Sequence, residues 1–330
     1  MKCINKWICL SLLIAVSCVS GCGKTSAVIE QPYDVYATAA DFGLSSNGSA
    51  EAKSYFASDL CVSEDVAIGT DSTDSQVAEG AGTFNLETNT VVYAKNLYER
   101  LYPASTTKIL TAYIALKYCD DLDAMVTVSE NAVNQASDSS VCNLKAGDVI
   151  RLRDLLYGLM LRSGNDAAVA IAEYISGDVD SFAALMNQEA AAMGATRSHF
   201  VNPNGLPDEN HYTCVYDMYL IFSNAIKNDT FVSIIGTTSY DVTYTDASGE
   251  AVTHTWENTN QYLTGNATTP DGFQIVGGKT GTTGEAGYCL VLYSYNPSGQ
   301  PIISIVFKAS IQPVPLHRRQ PQPPQAKQLT

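Results

Sequence analysis

The chain has 330 residues, 45% of them hydrophobic and 16% charged, which excludes a wholly disordered chain and suffices for one large core or two modest ones. Its formal net charge of −15, with no basic cluster interleaved with aromatics, excludes nucleic acid as a partner, because a surface this acidic repels phosphate. The later cysteines, Cys61, Cys119, Cys142, Cys214 and Cys289, are odd in number and lack C-x-x-C spacing, so they read as buried small hydrophobes rather than a disulfide framework or zinc site.

In chain order, residues 1–21 read as an export signal. Lys2 and Lys6 give a positive start, and Ile8 to Val19 form an apolar run short for a membrane span. The run ends in Val19-Ser20-Gly21-Cys22, which resembles the lipobox of bacterial lipoproteins. That resemblance implies cleavage before Cys22 and lipid on this residue, hence an exported protein held at the outer face of the cytoplasmic membrane or in the cell wall. Residues 22–80 are rich in Ser, Thr, Asp, Ala and Gly and read as a tether, within which Ala52, Tyr55, Phe56 and Leu60 have the spacing of a short helix.

The body is expected over residues 81–310. Thr83 to Leu86 and Thr90 to Tyr93 flank Glu87-Thr88-Asn89, the signature of a hairpin. In Tyr102-Pro103-Ala104-Ser105-Thr106-Thr107-Lys108, the proline suits a first helical position, and Ile109, Leu110, Tyr113 and Leu116 continue at helical spacing. Met125 to Val128 reads as a short strand and Gly147-Asp148 as a turn. Leu152, Leu155, Leu156, Leu159 and Met160 mark a helix that stops at Ser163-Gly164-Asn165. Helices follow from Asp166, from about Asp180 to Gly194, and from Tyr216 to Ile226, with Asn202-Pro203-Asn204-Gly205 as a loop. Strand patterns then cover Tyr240 to Tyr244, Ala251 to His254, Phe273 to Lys279, Tyr288 to Tyr295 and Ile302 to Lys308. Strands at both ends with helices between predict an α+β fold, an α/β sandwich in which one antiparallel sheet is flanked by helices and carries an inserted all-helical subdomain.

Ser105 and Lys108 lie three residues apart at a helix start, so hydroxyl and amine share one side of the turn. A hydroxyl beside a neutral amine is an activated nucleophile, although the same spacing also fits an ordinary helix start. Gly277-Gly278-Lys279-Thr280-Gly281-Thr282 permits close approach of a ligand to a strand, or forms a plain glycine-rich turn. It is not a phosphate loop, since Phe273 stands where that pattern needs its opening glycine.

Taken together, Ser105-x-x-Lys108, Ser163-Gly164-Asn165 and Lys279-Thr280-Gly281 match, in order, the three motifs of penicillin-binding proteins and serine β-lactamases. The chain most resembles the D-alanyl-D-alanine carboxypeptidases, from about Gly82 to Lys308, including Arg162 to Ala168 and His199 to Leu206. Ser-x-Asn also begins at Ser45, Ser129 and Ser294, but only Ser163 lies at a break between two apolar helices. The resemblance implies a serine peptidase that removes the terminal D-alanine from peptidoglycan stem peptides through a Ser105 acyl-enzyme and is acylated by β-lactams. Lys108 would take the proton of Ser105, Ser163 would relay it to the leaving amine, and Asn165 would hold Lys108 and the substrate amide. Lys279, Thr280 and Thr282, with Gly281 between the two threonines, would receive the terminal carboxylate. The N–H groups of Ser105 and Thr282 would bind the oxyanion. Lys108 must then be neutral, which its burial and the nearby Lys279 favour. No cofactor or metal is implied. His199, His211, His254 and His317 are isolated, giving no support to zinc hydrolysis or a Ser-His-Asp plan.

The same motifs serve a serine β-lactamase, and a non-catalytic cell-wall-binding lipoprotein is a further alternative. Family members ordinarily continue after the last strand into a helix that packs on the sheet. Here residues 311–330 carry Pro313, Pro315, Pro321, Pro323 and Pro324, which deny a regular helix, so the expectation is a disordered tail and a fold without its final packing helix.

Overall fold

The structure, a computed structural model, describes residue 57, residues 59–69 and residues 77–310. The signal, Cys22, most of the expected tether with its helical spacing over 52–56, and the tail at 311–330 lie outside the described residues.

Five strands build the main sheet: β1 (Ala78–Asn85), β2 (Thr90–Lys95), β7 (Gln274–Thr283), β8 (Gly287–Tyr295) and β9 (Pro301–Ala309). Their order is β2-β1-β9-β8-β7, antiparallel throughout, so the two ends of the body meet at the β1–β9 pair. The β1–β2 turn is fixed locally, because the Asn85 carboxamide oxygen accepts from the N–H groups of Glu87 and Thr88. Asn296 performs the same task between β8 and β9, accepting from Ser298 and Gln300. Alternation sends Phe84, Val291, Ile303, Ile305 and Phe307 to one buried face. Helix α6 (Val215–Ala225) packs there, with Tyr219 stacked on Phe84 at 4.2 Å between ring centres.

The helices fill the sequence between β2 and β7. A 3₁₀ turn at Ala104–Thr107 runs into α1 (Lys108–Tyr118), followed by the single turn α2 (Glu130–Val133). Next come α3 (Leu152–Tyr157), continuing as a π-helical turn over Gly158–Arg162, then α4 (Asn165–Ser176) and α5 (Val179–Ala192). After α6 comes α7 (Asp229–Gly236), which the hydrophobic pattern does not announce. Phe231, Val232, Ile234 and Ile235 suit a strand as well as a helix; the Asn228 carboxamide, accepting from the N–H groups of Thr230 and Phe231, selects the helix.

Two expectations change. The strands of the middle region do not join the main sheet; β5 (Ser239–Thr245) and β6 (Ala251–Glu257) pair with β3 (Met125–Thr127) and β4 (Val149–Arg151) in a second sheet of order β3-β4-β5-β6. β5 and β6 bury only Val242, Tyr244 and Trp256, a one-sided pattern that joins the same core as the helices and the main sheet. The body also begins before residue 81. Ala78 to Gly80 are already in β1, and Ile68 bridges Ala94. The segment at Cys61 is tied down by side chains of the body, its N–H donating to Tyr219 and its carbonyl accepting from Tyr216, each at 2.9 Å.

All five described cysteines are free thiols. Among the described residues no helix is long and apolar enough to cross a membrane.

Candidate active site

Pro103 leads into the 3₁₀ turn that carries Ser105, and Ala104 adopts a left-handed conformation at φ +48° to make that entry. Such a backbone costs an L-residue about 1–2 kcal/mol and persists only where its surroundings fix it. Ser105 is half-buried, whereas Lys108, one turn on, is fully buried. Lys108 Nζ lies 3.0 Å from Ser105 Oγ, 2.7 Å from Asn165 Oδ1 and 2.7 Å from the Asn204 carbonyl. Ser163 ends the π turn at φ +60° and ψ 34°, a left-handed residue that breaks the helix and starts α4 two residues later. Its hydroxyl lies 3.0 Å from Lys279 Nζ, which also donates to the Thr280 carbonyl at 2.8 Å.

Strand β7 runs against the Ser105 turn. A Cβ on Gly281 would lie 3.0 Å from Ser105 N and 3.1 Å from Ala104 Cβ, tighter than nearly all such contacts, so glycine eases this approach. Thr282 is exposed beside it, and the Thr280 hydroxyl pairs with that of Thr259 at 2.7 Å. Ser105, Lys108, Ser163, Asn165, Lys279, Thr280, Gly281 and Thr282 thus meet where the helical region faces the edge of the main sheet. A cleft of about 360 Å³ opens there, lined by Ser105, Asp138, Ser140, Asn165, Asn204 and Thr282 among others.

Its electrostatics follow from burial. Desolvation holds Lys108 well below the usual amine range, and the charge of Lys279 pushes the same way. Burial also lowers Lys279, to about 7. Sequence reasoning expected the depressed value at Lys108 alone; Lys279 joins it because its nitrogen is equally enclosed, with hydroxyl and carbonyl partners and no carboxylate.

A sequence model of the D-alanyl-D-alanine carboxypeptidase family matches residues 69–311. The chain belongs to this family. D-alanyl-D-alanine carboxypeptidase DacF of Bacillus subtilis is 35% identical over 238 residues, 71% of this chain and 58% of that protein. The D-alanyl-D-alanine carboxypeptidase of Streptomyces sp. strain K15 is 35% identical over 246 residues, 72% of this chain and 82% of that protein. The crystal structure of the Streptomyces K15 DD-transpeptidase superimposes with a TM-score of 0.66 at 34% identity, covering 71% of this chain and 91% of that one. Against several other curated carboxypeptidases, such as DacC of Escherichia coli, the chain spans about half of their length (52%).

Within this carboxypeptidase frame, several residues contribute that the motifs do not name. Asp166, 1% exposed, accepts from the N–H groups of Cys142, Leu144 and Ala167, which pins the wall of the cleft formed by residues 138–144 to α4. Asn204 reaches Lys108 through its backbone carbonyl, a contact that leaves no trace in residue type. His211, also 1% exposed, reaches the hydroxyl of Thr107. His199 is a surface partner of the Asn210 carbonyl and bridges Tyr212. Ser129, which begins another Ser-x-Asn, is an N-cap of α2, accepting from the Ala132 N–H and donating to Glu173. Among the described residues no cluster of three or more His, Cys, Asp or Glu side chains is placed to hold a metal ion.

Proposed function

We propose that the protein is a serine D-Ala-D-Ala carboxypeptidase that removes the terminal D-alanine of peptidoglycan stem peptides and is acylated by β-lactams. The observation that carries this reading is the coordination of Lys108. A neutral amine has two N–H donors and one lone pair. Short bonds to Asn165 Oδ1 and the Asn204 carbonyl use both donors, so the lone pair faces Ser105 Oγ at 3.0 Å.

Ser105 then attacks the carbonyl of the penultimate D-alanine while its proton passes to Lys108. Negative charge develops on the carbonyl oxygen between the N–H groups of Ser105 and Thr282, donors of a kind worth about 10²–10³ in rate each. Collapse breaks the peptide bond, and the proton reaches the leaving amine by way of Ser163, leaving an ester on Ser105. Water, deprotonated by Lys108, releases the shortened peptide. Protonated Lys279, with the hydroxyls of Thr280 and Thr282, receives the terminal carboxylate, and the Asn165 amide N–H₂ is free to hold the substrate carbonyl.

The organisation that accompanies this reading is a signal over residues 1–21, lipid on Cys22, a tether, the catalytic body and a tail from residue 311, at the outer face of the cytoplasmic membrane. It is supported by the residues before Cys22 and by the family's cell-wall substrate. Cys22→Ser is expected to release the protein from the membrane fraction; unchanged membrane association would count against lipidation.

The catalytic reading is tested by intact-mass measurement after incubation with labelled penicillin. A long-lived adduct on Ser105 is expected, together with D-alanine release from a pentapeptide, both abolished in Ser105→Ala. Rapid loss of the adduct with hydrolysed penicillin would identify a β-lactamase instead. Absence of both adduct and D-alanine release would leave a non-catalytic binding protein.

A further inference from the structure

His211 lies outside all three motifs, yet its ring is enclosed beside the catalytic turn. Its Nδ1 accepts from the Val201 N–H at 3.2 Å, and its Nε2 lies 2.9 Å from Thr107 Oγ1. A backbone N–H can only donate, so Nδ1 carries a lone pair and the ring proton sits on Nε2, directed at Thr107. Phe200 meets the ring edge-on at 5.5 Å and completes its enclosure. Burial lowers the imidazole to about 4, in keeping with a ring that stays neutral.

The two ends of this ring join different parts of the site. Thr107 belongs to the turn of Ser105, whereas Val201 opens the segment whose later carbonyls contact α1. The Pro203 carbonyl accepts from Thr111 Oγ1 at 2.7 Å, and the Asn204 carbonyl accepts from Lys108 Nζ at 2.7 Å. His211 therefore closes a loop of contacts, from Ser105's own turn through Val201 to Asn204 and back to Lys108.

We propose that His211 is a positioning residue for acylation: by spanning Val201 N–H and Thr107 Oγ1 it keeps the Asn204 carbonyl against Lys108 and the lysine lone pair on Ser105. The inference rests on the peptidase reading of the site. His211 itself is separated from Ser105 by Thr107 and exchanges no proton with substrate. Its loss leaves the buried Thr107 hydroxyl and the part-buried Val201 N–H without this partner and frees the 201–205 segment to shift. A displacement of about 1 Å at a catalytic group costs on the order of 10²-fold in rate.

The test uses the full chain as parent, Ser105→Ala, His211→Phe, His211→Gln and Thr107→Val. The readings are the second-order rate of acylation by a fluorescent penicillin, kcat and KM for D-alanine release, and a circular-dichroism melt. His211→Phe keeps the ring volume and is expected to lose acylation rate and kcat by about 10²-fold with KM within about twofold, because Lys279 and Thr280 are untouched. His211→Gln, whose amide offers an acceptor for Val201 and a donor for Thr107, is expected to regain most of that loss. Thr107→Val removes only the hydroxyl and is expected to follow His211→Phe, and it replaces that variant as the test if the phenylalanine does not fold. Folded His211→Phe or Thr107→Val acylating at the parental rate would overturn the inference, as would a glutamine variant no better than phenylalanine. A parent chain that forms no Ser105 adduct would instead overturn the peptidase reading, and this inference with it.

Discussion

Lys108→Met is expected to lower acylation by penicillin about 10³-fold or more, and to remove the acidic limb of the pH profile along with the rate. The sign follows from burial. Lys108 is held well below the usual amine range, which favours the free lone pair; acid refills it, and the rate falls as pH drops through that depressed value. Lys279 works in the opposite sense. Its value of about 7 in the free protein means that the cation awaiting the substrate carboxylate is lost above neutrality, so KM should climb on the alkaline side. The profile of kcat/KM is then bell-shaped, with Lys108 on the acidic limb and Lys279 on the alkaline one. Methionine preserves much of the stem of Lys108, so a melt near the parental temperature will separate lost chemistry from lost fold. A variant within tenfold of the parent, or an acidic limb that survives unchanged in the Lys108→Met variant, would refute the assignment of Lys108 as the base.

What the sequence made legible was chemistry carried by short local motifs. Ser105 and Lys108 are one turn apart, so their contact is fixed by helix geometry alone. Ser163 could be chosen over Ser129 because a serine at the break between two apolar helices has a different task from one heading a polar turn, where it became an N-cap. The hairpin of β1 and β2 was readable because its turn chemistry is local to Asn85. Long-range selection was less visible. β5 and β6 have strand patterns, but nothing in them states which sheet they enter; the one-sided burial of Val242, Tyr244 and Trp256 decides that only once neighbours are present. The hairpin pattern, and the Ser-, Thr-, Asp-, Ala- and Gly-rich stretch before it, put the start of the body at residue 81. Two tyrosine hydroxyls from α6 hold Cys61 within that stretch, and such anchors have no sequence period. The contribution of Asn204 escaped for another reason, since a carbonyl looks the same on every residue.

The second large effect concerns Gly205, and it shows how tightly that carbonyl segment is pressed on the nucleophile's turn. Gly205 has φ +87°, and a Cβ there would lie 1.9 Å from the Ala104 carbonyl oxygen and 2.9 Å from Thr107 Oγ1. Ala104 cannot retreat, because it is already left-handed and β7 stands on its other side at Gly281. Gly205→Ala is therefore expected to cost about 3 kcal/mol or more, combining a left-handed L-residue of about 1–2 kcal/mol with overpacking of about 1–3 kcal/mol. In a chain of this size that corresponds to a fall in melting temperature of roughly 6–12 °C, and the folded fraction should acylate slowly because Ser105 has been pushed aside. Gly177 supplies the control. It has nearly the same φ, +86°, at the end of α4, but no atom lies within 4 Å of its Cβ position. Gly177→Ala should show the dihedral cost alone, with unchanged acylation. Equal losses of stability in the two variants, or normal acylation by Gly205→Ala, would mean that backbone conformation rather than close approach explains the glycine, and that the Asn204 carbonyl is held against Lys108 by something other than this contact.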